Sequence, residues 1–105
     1  MKLRLVFVPP GGGEADYSLD FDSPAVPVKG DYITITRKDQ DGTENFIVKR
    51  TWWSFSVGAN GEGGRNDGVY VECEFAKGPL SSTSHKKSVE IYGTQTGTTL
   101  EFDES

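Results

Sequence analysis

From end to end of the chain, apolar residues recur at every second position between clusters of Gly, Pro and Asp. No stretch carries them at a sustained 3.6-residue period with caps at its ends. A period of two belongs to strands with one dry face and one wet face, so the sequence predicts an all-β fold with little or no helix.

The segments can be paired by hydrophobicity and by charge. Lys2 to Val8 and Asp16 to Asp22, set antiparallel with Phe7 opposite Tyr17 and Leu3 opposite Phe21, also place Arg4 against Asp20 and Lys2 against Asp22. The connection, residues 9–15, holds two prolines and three glycines and is too long for a tight turn. A second hairpin turns at Asp39-Gln40-Asp41-Gly42, with Ile35 expected opposite Phe46, Ile33 opposite Val48, Arg37 against Glu44 and Asp31 against Arg50. That register also sets Tyr32 across from Lys49.

After Val48 the apolar phase slips from even to odd, since Trp53, Phe55 and Val57 follow. A β-bulge accounts for such a slip and bends the strand near residues 48–53. Beyond the bend, Val57 is expected to face Val69, Phe55 to face Val71 and Trp53 to face Cys73, leaving 58–68 as a mobile loop with five glycines. A last hairpin is expected to pair Val89 and Ile91 with Phe102 and Leu100 around Thr94-Gln95-Thr96-Gly97.

With 105 residues, the chain is read as one domain, 1–105, with one core. The expected architecture is an antiparallel meander of about seven strands. It forms a small, partly open barrel, similar in shape alone to SH3-like and other small barrels, or a two-sheet sandwich. Shape at this level says nothing of function.

Composition narrows the chemistry. The formal net charge is −5, so the global field repels phosphate backbones, and neither nucleic acid nor membrane is an expected partner. Arg37-Lys38, Lys49-Arg50 and Lys86-Lys87 do not build a basic groove, because neighbours on a strand point to opposite faces. The one cysteine, Cys73, lies in an alternating apolar run and reads as a buried, inert thiol in a reducing compartment. Met1–Val8 carries Lys2 and Arg4 in its short apolar stretch and lacks the pattern of a secretion signal, so a cytoplasmic location is expected.

Catalytic raw material is thin, and no enzyme activity or cofactor is expected. His85, in Ser-Ser-Thr-Ser-His-Lys-Lys, reads as an exposed loop residue. One His and one Cys cannot supply a structural zinc site. Asp39 to Glu44 lacks the spacing of a calcium loop, so no metal is expected. The runs Gly11–Gly13 and 58–64 precede no expected helix and so form no phosphate cradle. Glu72 and Glu74 share a face but read as solvated strand carboxylates rather than a catalytic pair.

What remains is aromatic surface. The assigned faces turn Tyr32, Trp52, Tyr70 and Tyr92 away from the core, with Trp52 across from Glu74 beside the bend. Outward aromatics anchor binding surfaces. The sequence therefore suggests a non-catalytic protein-binding or adaptor domain, of the kind found among phage and mobile-element accessory proteins, with Tyr32, Trp52, Tyr70, Tyr92 and Glu74 as its binding residues. Its partner would be another protein or a second copy, in a homodimer that covers Tyr32, Ile47 and Trp52. The alternatives are a carbohydrate-binding module using exposed Trp and Tyr, and a small enzyme using loop carboxylates or His85.

Overall fold

The computed structural model describes residues 2–78 and 80–101. They form a curled mixed sheet that makes a half-barrel, with one helix. The strands are β1 (Lys2–Val8), β2 (Tyr17–Asp22), β3 (Tyr32–Thr36), β4 (Thr43–Val57), β5 (Gly64–Lys77) and β6 (Leu100–Glu101), with α1 (Thr83–Thr96) between the last two. In space the order is β2-β1-β5-β4-β3, and β6 pairs with the far end of β5.

The first hairpin has the register that hydrophobicity and charge require: Phe7 opposes Tyr17, Leu3 opposes Phe21, Arg4 opposes Asp20 and Lys2 opposes Asp22. Its partner across the sheet is β5, and that pairing is parallel, with Leu3 beside Val69, Leu5 beside Val71 and Phe7 beside Cys73. A pure antiparallel meander is therefore not what forms. Two strands with matching apolar faces meet although they run the same way, and β6 adds a second parallel pair to β5 through Ala76 and Leu100.

The second hairpin is shifted by two residues from the expected register. Ile33 opposes Phe46, Ile35 opposes Glu44, and Tyr32 opposes Ile47 rather than Lys49. The cause is the segment that follows β5. Thr43 donates its N–H to Leu80 O and accepts from Ser82 N, and Gly42 lies so close that a Cβ there would come 2.5 Å from Leu80 O. The turn therefore spans 37–42, and Arg37 reaches Glu44 along a diagonal instead of from directly across.

The bulge is where the phase slip puts it, with the β4–β5 register shifting between Val48 and Arg50. Beyond it, the expected partners are corrected. Trp53 faces Val69 and Thr51 faces Val71, while Cys73 is taken by Val48, before the bulge. The hairpin continues to Val57 opposite Gly64, so 64–68 of the glycine-rich segment belong to β5 and the turn is confined to 58–63. A second shift, between Ser54 and Phe55, skips Asp67 on β5.

The C-terminal hairpin is replaced by α1. Ser82 caps the helix by accepting from His85 N–H at 3.2 Å, and Gly97 ends it in the left-handed region at φ 71°. His85, Val89 and Tyr92 recur at helical spacing and face the sheet, whereas Ile91 is 55% exposed. The expected partner Phe102 lies outside the described residues.

The core fills the concave side of the curl. Leu3, Leu5, Phe7, Phe46, Val48, Val69, Val71, Cys73 and Phe75 are buried there, and Val89 closes it from the helix. Phe7 and Phe46 rings lie 4.3 Å apart, and Phe46 and Phe75 meet edge to face at 5.1 Å. No helix of the described residues is long and apolar enough to cross a membrane.

Candidate functional site

The half-barrel has two different ends. At one, α1 sits over Phe46 and Phe75. At the other, β4 and β5 run on past the first residue of β1 as a two-stranded arm, which gives the molecule a length of 51 Å against 29 and 27 Å in the other directions.

Aromatic residues occupy both faces of the β4–β5 hairpin at the base of that arm and along it. On the convex face, Trp52 and Tyr70 are direct cross-strand partners, and their rings stack at 5.4 Å with an interplanar angle of 14°. On the concave face, Trp53 and Phe55 lie in parallel planes 6.4 Å apart. Trp52 is 42% exposed, Trp53 44%, Phe55 67% and Val57 73%. Trp53 and Phe55 have the face that alternation assigns them but not the burial. The sequence carried the signal, because opposite them β5 offers only Gly68, Asn66 and Gly64 beyond Val69.

Beside the convex stack, the ends of β1 and β2 stop short of the arm and leave a groove of about 280 Å³. Leu3, Phe21 and Val69 line it together with Arg4, Asp20 and Asp67. Arg4 Nε donates to Asp20 Oδ1 at 2.7 Å, which holds the Asp20 carboxyl below the ordinary carboxylate range. Asp67 is lowered too, by hydrogen bonds first from Ser56 and then from Arg65. Both carboxylates are thus kept charged at the groove.

Of the residues expected to bind, Trp52 and Tyr70 come together and Tyr32 is exposed on β3. Tyr92 and Glu74 go elsewhere. Tyr92 packs edge to face on Phe75 at 5.0 Å, because α1 turns it toward the sheet, and burial is the first cause of its raised pKa. Glu74 lies across from Ile47, not Trp52, and its carboxylate is committed to the fold. It accepts from Gly11 N–H at 2.8 Å and pairs with Lys49 at 3.7 Å, tying the loop after β1 to the sheet.

His85 is also corrected, from exposed loop to buried link. It is 3% exposed, stacks on Phe75 at 5.5 Å, and places Nε2 2.8 Å from Ala76 O and 3.1 Å from Asn45 N. Asn45 extends that polar seam by donating from Nδ2 to Ser81 Oγ at 2.6 Å. A ring enclosed by two phenylalanines and main chain is placed to hold α1 onto β4 and β5. The Cys73 thiol is fully buried, donates weakly to Val71 O, and is pushed up to about 12 by that burial. At the mouth of the curl, Tyr17 O–H donates to Glu44 Oε1 at 2.5 Å, with Arg37 on the other carboxylate oxygen and over the Tyr17 ring. Burial, then Glu44, raises the Tyr17 pKa.

Among the described residues, no three His, Cys, Asp or Glu side chains are placed to hold a metal ion. Comparison with protein-family models, with curated proteins and with solved structures finds no match.

Proposed function

We propose that this chain is a non-catalytic binding domain that takes a segment of another protein at the convex side of the arm. The observation that carries the reading is the Trp52–Tyr70 stack, with Trp52 exposed and Tyr70 half-buried, beside the groove between Arg4, Asp20 and Asp67. Large rigid rings next to a small apolar floor and fixed charges are the usual make-up of an interface hot spot and its rim. The β5 edge from Gly64 to Gly68 borders the groove and extends beyond β1, so a partner segment can lie along the groove with its side chains on the stack. A cytoplasmic setting is part of the same proposal, since the protein needs no disulfide and buries its thiol.

The test is capture from a source-cell lysate by the wild-type chain and by a Trp52→Ala, Tyr70→Ala double variant whose fold is checked by circular dichroism. A captured protein whose affinity falls about tenfold or more in the variant supports the reading. Capture that is unchanged in the variant removes the stack from the interface. Quenching of tryptophan fluorescence by a glycan, with no protein captured, would turn the surface over to carbohydrate instead.

A further inference from the structure

The concave side and outer edge of the same arm carry a different feature. Residues 51–61, Thr-Trp-Trp-Ser-Phe-Ser-Val-Gly-Ala-Asn-Gly, contain no charge and no proline, in a chain whose net charge is −5. They include the outer strand of the arm. β3 covers β4 only as far as Ile47, and the last backbone hydrogen bonds across that edge join Val48 to Gly30 and Asp31. Pro27 closes the edge at Thr51, where its carbonyl accepts from the Thr51 hydroxyl. From Trp52 to Val57 the edge has no strand beside it among the described residues.

Other edges of the sheet are guarded in the ways that prevent strand addition. β2 presents Asp20 and Asp22, the β5 side of the arm carries Arg65 and Asp67 between glycines, and β3 is only five residues long. The β4 edge has none of these guards.

We propose that two copies of the chain pair antiparallel along this edge, about a two-fold axis at Ser54. The segment is self-complementary in that register. Trp53 falls opposite Phe55 of the second copy and Trp52 opposite Ser56, with Val57 just past the paired stretch where Pro27 closes the edge, so the concave rings of both arms form one row and no like charges meet. A second copy is also what the base of the arm fits. There, Val26, Val28 and Trp53 make an apolar pocket rimmed by Lys29, Lys49 and Arg50. Lys49 and Arg50 pair with Glu74 and Glu72 of their own chain, which leaves Lys29 to face outward. Pairing about Ser54 brings Val57 of the second copy level with that pocket and carries the tip of its arm over the rim. The one charge in the tip, residues 58–64, is Glu62. An apolar residue thus reaches an apolar pocket and an acid reaches a basic rim. The convex Trp52–Tyr70 stacks stay outward, side by side on one continuous sheet, so this pairing is independent of the partner-binding proposal.

Analytical ultracentrifugation of the full chain tests it. The wild type is expected at twice the 11.5 kDa chain mass at micromolar concentration, and Ser54→Lys, which sets two cations face to face at the axis, is expected at the single mass with an unchanged circular dichroism spectrum. Lys29→Glu should weaken the dimer about tenfold or more, and Lys29→Glu with Glu62→Lys should recover it. For Ser54→Cys, oxidation should link the two copies, because Cys73 is buried and cannot compete. Thr34→Lys, on the β3 edge, and the Trp52→Ala, Tyr70→Ala variant should remain dimeric. A monomeric wild type overturns the proposal. So does a dimer that survives Ser54→Lys, or one that is lost through Thr34→Lys instead.

Discussion

Phe46 and Phe75 at one end of the β4–β5 hairpin, and Trp53 and Phe55 at the other, lie on the same concave side of the same two strands. The first pair is buried under α1 and bonded into an aromatic cluster with His85, whereas the second is stacked only on itself and remains wet. Alternation places a side chain on a face, but burial depends on a second element reaching that face. At the capped end, three residues of a polar helix do so, His85, Val89 and Tyr92, helped by the seam through Asn45 and Ser81. At the arm, this chain supplies no such element among its described residues.

The sharpest way to break the comparison is to truncate one ring at each end. In the Ser54→Lys background, where pairing between copies does not enter, Phe46→Ala should cost about 3–5 kcal/mol in urea denaturation. Phe55→Ala should change stability by about 0.5 kcal/mol or less. Equal losses would mean that the arm is as well packed as the capped end.

Alkaline pH should separate the two regions as well. Burial raises the Cys73 thiol from 9.0 to about 12, so the folded chain holds that proton more tightly than the unfolded one. The associated stability is complete below pH 9 and is lost as pH rises from 9 towards 12, with an upper bound on the order of 4 kcal/mol. Tyr17, raised in the same sense, adds to the loss at the upper end of that range. A Cys73→Val chain should show a flatter stability profile above pH 9, measured by urea denaturation at stepped pH. An unchanged slope would place the alkaline sensitivity outside the core.

The smallest effect expected is at the helix cap. Ser82→Ala removes the acceptor for His85 N–H and should cost about 1 kcal/mol. In hydrogen exchange, the amides of α1 should lose protection while those of Trp52–Val57 keep theirs. A loss spread equally over both regions would show that cap and arm unfold as one unit.

The legible parts of the fold were those that local patterning decides without interference from a distant segment. Apolar phase and opposite charge together specify the β1–β2 register, and the slip between Val48 and Trp53 marks the bulge. In the second hairpin the same two signals also agreed, and a long-range contact overrode both. The β3–β4 register moved because Leu80 and Ser82 bond to Thr43, a contact invisible from the hairpin itself. The helix was hidden because Val89 and Ile91 alternate like a strand, while Ser82 and Gly97, its real boundaries, sit in a Ser/Thr-rich stretch that reads as loop. The convex stack followed from strand parity, although Trp52 gained Tyr70 as its direct partner only because the hairpin is longer than the glycines suggest. Glu74 and Tyr92 were turned to structural use by the loop after β1 and by α1, neither of which pattern alone can place.

The parallel pairing of β1 with β5 also bears on the order of assembly. Leu3 finds Val69 only after almost the whole intervening chain has formed, whereas β1 and β2, and β4 and β5, can close as hairpins at once. Pairings of such long sequence separation slow folding, since the loop must close before the contact is gained. During synthesis the β1–β2 hairpin therefore waits with the apolar side of Leu3, Leu5 and Phe7 uncovered. Its charged neighbours Lys2, Arg4, Asp20 and Asp22 would help to keep that unfinished hairpin dispersed until β5 leaves the ribosome.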